Sequence, residues 1–245
     1  MNENQRGKII VIDAIDGAGK STIIRDIATF LESQGVTPSF DLVDFQKKHA
    51  RLPEIQELQG VKLLLAAEPT SSWIGSALRE ELLPLYQDRR YSALSATQAF
   101  ALDRDILYKR IIIPFLKANP DGFVIQDRGL ISTLAYQPLQ DPACTIEQIL
   151  ALPGNQTELS YPPDLLFLLT LDVNIAQQRL AERKDKRDNS LLEAKDFQSA
   201  LVKRYKLSEV QEPFLKRGTS IVNIDASKTP KRTFEQVKKH ILDLI

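Results

Sequence analysis

The sequence predicts an α/β fold: one domain, with a five-stranded parallel sheet, helices on both faces in three layers, and a helical lid. Three observations carry this. Five short apolar runs are separated by stretches of helical periodicity, and strands alternating with helices require crossover connections and a parallel sheet. The first run passes straight into a glycine-bearing turn and an amphipathic segment. Each run also ends at or beside a carboxylate, Asp13, Glu68, Asp127, Asp172 or Asp225, and open parallel sheets bind their ligands at those strand ends.

Taken in order, residues 9–12 (IIVI) are the first strand and residues 21–32 the first helix. Residues 38–60 are charged, with a weak helical pattern around 53–58, and read as surface elaboration. Strands follow at 61–66, 122–126, 165–171 and 220–224, and helices at 74–85, 94–116, 173–183, 195–215 and 233–244. The chain of 245 residues is ample for one large core, and its 43% hydrophobic content is ordinary. Formal net charge is zero, which argues against binding nucleic acid by bulk electrostatics. Cys144 is the only cysteine, so no intrachain disulfide forms and a reducing compartment is expected. The polar N-terminal stretch and the lack of a membrane-length apolar run place the expected protein in the cytoplasm. His49 and His240 stand alone, without the neighbours a metal site or histidine triad needs.

Residues 8–21 read KIIVIDAIDGAGKS. Strand, glycine turn, Lys-Ser and helix make a phosphate loop, whose backbone N–H groups cradle phosphate oxygens at a helix N-terminus. Lys20 would reach the outer phosphates, and the Ser21 hydroxyl would hold Mg²⁺. The usual pattern opens with Gly where this chain has Ala14, and a methyl there requires negative φ. With this loop the predicted fold is of the P-loop NTPase type. GFVIQDR (122–128) ends an apolar strand in Asp127, suited to the Mg²⁺ shell, and Arg128, suited to gripping a phosphate. In FALDR, Phe100 and Arg104 are four apart and share a helix face. They suit a planar base, one stacking and one bonding its edge, or else are a core ring and a solvated cation. RLAERKDKR (179–187) is either a solvated helix end or a basic lid closing over phosphates.

Together these segments resemble the thymidylate (dTMP) kinase family. VIDAIDGAGKS, EPTSSWIGSALREELL, FALDR, QDRGLISTLAYQ, PPDLLFLLTLDV and VNIDAS occur in family order over nearly the whole chain. The resemblance implies transfer of the ATP γ-phosphoryl group to dTMP, with Mg²⁺, in a homodimer without nucleic-acid or membrane partners. It assigns ATP contacts to Asp16, Gly17, Ala18, Gly19, Lys20, Ser21, Thr22, Arg179, Asp225 and Ala226. It assigns the acceptor to Asp16, Glu68, Pro69, Phe100, Arg104, Arg128, Ser132, Thr133, Tyr136 and Gln137, and the metal to Ser21 and Asp127. Phe100 would stack on thymine, Arg104 bond its O4, Asp16 accept from the 3′-hydroxyl and Tyr136 fill the 2′ space. Lys20 and Arg128 would act on the phosphates. The loop has no arginine of its own, so Arg183 or Arg187 would supply the lid's catalytic cation. The chain departs from the pattern at Ala14, at Ala67 (where many bacterial relatives carry Arg, with Arg79 as a substitute), at Gly129 for the usual Tyr, and in a longer 38–60. These departures leave open a kinase of another deoxynucleoside monophosphate or deoxynucleoside, or a nucleotide-binding module that has lost catalysis. A regulatory GTPase would need an Asn-Lys-x-Asp stretch, which the chain lacks.

Overall fold

The structure, a computed structural model, describes residues 6–82, 91–182 and 195–245. Strands β1 (Lys8–Ala14), β2 (Ser39–Asp41), β3 (Leu63–Ala67), β4 (Phe123–Asp127), β5 (Leu165–Thr170) and β6 (Ser220–Asp225) form one parallel sheet. Their order is β2-β3-β4-β1-β5-β6. Ile9, Ile10, Val11 and Ile12 are buried, as are Val124, Ile125, Leu166 and Phe167. Both faces of these strands are covered, so they read as continuous apolar runs rather than alternating ones. The chain leaves β1 toward one side of the sheet and later returns to its other side. In this arrangement the β1 and β4 ends adjoin, with Ile12 opposite Asp127, and ligands of such sheets sit at that reversal.

The sheet has six strands rather than the five expected. The added strand is β2, an edge strand whose three residues are exposed, half-buried and exposed and pair with Leu63, Leu64 and Leu65. It lacks the apolar run that marks a central strand. The 38–60 segment also holds helix α2 (Leu42–His49) and a 3₁₀ turn at Ile55–Leu58. From α2 the buried Gln46 donates to Ser72 Oγ at 3.1 Å and accepts from the Ser71 N–H at 3.1 Å, so this segment braces the loop after β3.

Helix α1 (Lys20–Ser33) follows the phosphate loop, and α3 (Ile74–Ala77) follows the Glu-Pro segment. Helix α4 (Ala93–Leu107), a π turn at Tyr108–Ile112 and α5 (Ile113–Ala118) make one helical run. Next come α6 (Leu130–Gln140), α7 (Ile146–Leu150) and α8 (Pro153–Ser160). Helix α6 buries seven of its first eight residues, so no polar stripe betrays it to a periodicity search. After α9 (Val173–Ala181), the stretch expected to be one helix is two, α10 (Lys195–Arg204) and α11 (Ser208–Leu215). The break lies at Tyr205, whose hydroxyl is bonded to Asp13. Helix α12 (Pro230–Leu242) closes the chain against α1. Among the described residues no helix is long and apolar enough to cross a membrane.

Candidate active site

The phosphate loop spans the gap between β1 and α1. Gly17 and Gly19 take φ of 81° and 90°, values that strain any residue with a Cβ. Gly17 is constrained twice, because a Cβ there would stand 2.5 Å from the Ala176 carbonyl oxygen of α9. Ala14 is the last residue of β1, buried and outside the positive-φ set, so its methyl meets the condition set by the sequence. Ala18 is buried, Ser21 is exposed at the start of α1, and Thr22 N–H bonds the Gly19 carbonyl.

Two cations from different segments meet over this loop. Lys20 Nζ lies 3.7 Å from Asp16 Oδ1, and Arg128 Nη2 lies 2.5 Å from the same oxygen. Arg128, at φ 66° just past β4, also reaches Asp13 Oδ1 (3.3 Å), the Ala14 carbonyl (3.3 Å) and Ser132 Oγ (3.1 Å). Its guanidinium lies over the Tyr136 ring. Burial pushes the Asp16 carboxyl up, but Arg128 and Lys20 outweigh this and hold it below its usual range. Burial lowers the Lys20 ammonium, and Arg128 lowers it further against the pull of Asp16, Asp127 and Asp13. Asp16 thus occupies a point where two cations converge, as a phosphate oxygen would.

Beneath lies Asp13, fully buried. It accepts from Tyr205 OH (2.8 Å), Ser132 Oγ (2.7 Å) and the Ala14 N–H (2.8 Å). Burial raises its carboxyl despite Arg128 and Lys20. Neither Asp13 nor Tyr205 was among the expected site residues. Asp13 had a signal, a carboxylate ending an apolar strand, whereas Tyr205 had none. Asp127 ends β4, and its Oδ1 is buried without a hydrogen-bond partner among the described residues.

Of the residues expected to meet the acceptor, Glu68, Thr133, Tyr136 and Gln137 are buried and Phe100 is half-buried. Ser132 is already tied into the Asp13 network. Gln137 Oε1 is buried with no partner among the described residues. Arg104 is not a solvated cation: its side chain is 1% exposed. Nε approaches Glu158 Oε2 at 2.8 Å and Glu68 Oε1 at 3.2 Å. Nη2 donates to Glu68 Oε2 at 2.5 Å and Thr133 Oγ1 at 3.2 Å, and Nη1 donates to Asn155. Gln126 Nε2 donates to Glu68 Oε1 at 3.1 Å. Sequence spacing does not reveal Glu158, Asn155 or Gln126 as part of this cluster.

The loop after β3 carries Pro69, Thr70 and the sole tryptophan. Thr70 donates from N–H and Oγ1 to Asp103, each at 2.7 Å. Arg79 donates to the Pro69 and Thr70 carbonyls, beside Asp127 and Arg128, and so brings a cation to the side where Ala67 supplies none. Trp73 has φ 49°, and the Arg110 guanidinium lies 5.0 Å from its ring centre. On the other side, Arg179 of α9 donates to the Ala226 carbonyl at 3.0 Å, and Ala226 N–H bonds Thr170 O. Asp225 is drawn onto Ser227. The two expected lid arginines, Arg183 and Arg187, lie outside the described residues, as does most of the expected lid.

Burial pushes the Glu68 carboxyl up to about 8, with Arg104 opposing and Glu158 reinforcing. The folded protein therefore holds this proton more tightly than the unfolded chain, whose glutamate releases it near 4.5. The stability it confers is complete below that value and is lost as pH rises through about 8. The urea midpoint should fall from about pH 5 to about pH 9, and Glu68→Gln should flatten much of the decline. An unchanged slope in the variant would place the titration elsewhere.

A phosphate loop on a parallel sheet, a lysine and an arginine converging over it, and a buried polar cluster around Arg104 define the class: a P-loop phosphotransferase. Comparison with known proteins agrees. The thymidylate kinase family model matches residues 48–237. The thymidylate kinase of Caldicellulosiruptor saccharolyticus is 32% identical over 98% of this chain and 98% of its own. That of Dichelobacter nodosus is 28% identical over 96% and 98%. The thymidylate kinase structure from Candida albicans superposes with a TM-score of 0.61 at 22% identity, covering 97% of this chain and 92% of that one, a likeness of fold. The chain belongs to the thymidylate kinase family.

Proposed function

We propose that this protein transfers the γ-phosphoryl group of ATP to the 5′-phosphate of dTMP, giving dTDP and ADP. The observation that carries this is Asp16 Oδ1, which touches both Lys20, from the donor loop, and Arg128, from the acceptor side. Incoming phosphates bring negative charge to the point where those cations now share a carboxylate. Transfer is in line and needs no covalent enzyme intermediate, so the protein's work is alignment and charge compensation. Lys20 stabilises charge on the moving group and Arg128 grips the acceptor phosphate, with Arg79 next to it. Arg183 or Arg187 adds charge from the lid. Asp16, once released by its cations, accepts from the 3′-hydroxyl, and Tyr136 fills the space of a 2′-hydroxyl.

The base faces Phe100. One N–H of Arg104 donates to O4, and the unpartnered Gln137 Oε1 accepts from N3–H. That order of donor and acceptor suits thymine and is reversed for cytosine. Gly17, Ala18, Gly19 and Thr22 line the triphosphate, while Arg179, Asp225 and Ala226 flank adenine. The orphaned Asp127 Oδ1 and the Ser21 hydroxyl fit a hard divalent cation, Mg²⁺, which when bound with ATP neutralises phosphate charge. A homodimer would form through α4, where Leu94 and Leu102 are 42% and 50% exposed. The single cysteine and the nucleotide substrates suit the cytoplasm.

The test is a coupled ADP-release assay with Mg·ATP and dTMP, dUMP, dCMP, dGMP, dAMP or thymidine. Strong preference for dTMP is expected. Preference for another acceptor would keep the phosphate chemistry and overturn the base assignment, and no turnover with any acceptor would overturn the enzyme.

A further inference from the structure

Gly129 has φ −174°, extended backbone that any residue adopts, so conformation does not demand glycine. Space does. A Cβ at 129 would stand 3.0 Å from Glu158 Oε1 and 3.3 Å from Gln126 Nε2. The volume beside the Asp-Arg pair is filled instead by a carboxylate arriving from α8. Glu158 is 1% exposed, and its Oε2 accepts from the Leu130 N–H at 2.9 Å and forms an ion pair with Arg104, 2.8 Å from Nε. Helix α8 is pressed onto α4 for this contact: a Cβ on Gly154 would lie 1.7 Å from the Ala101 carbonyl oxygen. Asn155 and Glu158, three apart, then share the face toward Arg104.

A guanidinium has five N–H donors in one plane. Glu68 takes one edge of Arg104 as a fork, through Nε and Nη2. A single fork still allows the plane to tilt about the shared axis. Glu158 at Nε, Asn155 at Nη1 and Thr133 at Nη2 remove that freedom. Among the described residues these contacts leave one N–H, on Nη1, for a ligand.

We propose that Glu158 is a positioning residue for acceptor selectivity: anchored by the Leu130 N–H in the clearance left by Gly129, it fixes the plane of Arg104 so that one N–H meets the base. This rests on the proposed dTMP-kinase function. It explains Gly129 and Glu158 as one unit, a carboxylate clamp standing where the family pattern places an aromatic ring.

The experiment compares wild type with Glu158→Gln, using dTMP and dCMP and recording kcat, KM and the melting temperature. The variant keeps the volume and loses the charge that orients Arg104. The expected result is a KM for dTMP raised about tenfold, kcat within about twofold, and a dTMP-to-dCMP ratio of kcat/KM lowered about tenfold. A purely structural role would lower the melting temperature and the active fraction, reducing kcat equally for both acceptors with KM and the ratio unchanged. That pattern overturns the proposal. If Glu158→Gln does not fold, Glu158→Asp carries the same comparison, because it keeps the charge but withdraws the carboxylate by one methylene. A drop in the ratio supports the proposal and an unchanged ratio overturns it. Wild-type turnover of dTMP in the same assay separates the two levels. With it, an unchanged ratio overturns only the role of Glu158; without it, the proposed function falls too.

Discussion

Lys20→Ala lowers kcat at least about a thousandfold and leaves the protein as stable as wild type or more so. The two halves of this expectation share a cause. Among the described residues Lys20 Nζ has only long contacts, 3.5 Å to the Ala14 carbonyl and 3.7 Å to Asp16. Burial and the nearby Arg128 both disfavour its charge. Deleting the ammonium therefore removes a strained cation from the fold and, in the proposed function, the principal charge acting on the transferred group. Steady-state kinetics at saturating ATP and dTMP, with a thermal melt on the same sample, checks both. A variant with near-normal kcat would move the donor site away from the loop. A variant much less stable than wild type would contradict the account of Lys20 as an electrostatic liability.

Arg128→Ala behaves differently. Its guanidinium is the hub of Asp13, Asp16, Ser132 and the Ala14 carbonyl. Truncation removes the cation bonded to buried Asp13 and leaves only the more distant Lys20, which costs about 3–5 kcal/mol of stability. In the proposed function it also removes the fork for the acceptor phosphate, so kcat/KM for dTMP falls about a thousandfold while the affinity for ATP changes little. Arg128→Lys should recover part of the stability through its charge and little of the acceptor binding, because a point charge lacks the fork. Urea unfolding and initial rates over a dTMP series decide the matter. An unchanged KM for dTMP would remove Arg128 from the acceptor site.

The parts legible in the sequence are those whose physics is local. The strand–loop–helix unit at 8–33 follows from apolar runs, glycines at left-handed positions and helical spacing, and Asp127 and Arg128 follow from their place at a strand end. What escaped depends on tertiary contacts. Strand β2 has three residues and no apolar run, so only its partner β3 makes it a strand. Helix α6 is buried nearly all round and shows no stripe. Tyr205 reaches Asp13 across 192 positions of sequence. Arg104 was visible as a pocket candidate, but the two carboxylates that hold it come from β3's end and from α8, 36 residues before it and 54 after it. The absence of a side chain at 129 was noticed from pattern, whereas the acid that takes its space can be seen only in three dimensions.

Trp73 is the only tryptophan in the chain, and it stands three residues after Thr70 in the loop that frames the proposed acceptor side. It is 46% exposed and stacked beneath Arg110. Indole emission from this protein therefore comes from one place, and its colour and intensity depend on how far that loop sits from water and from a guanidinium. The enzyme carries a built-in optical probe of the loop after β3, available without labelling and uncontaminated by signals from the sheet or the phosphate loop.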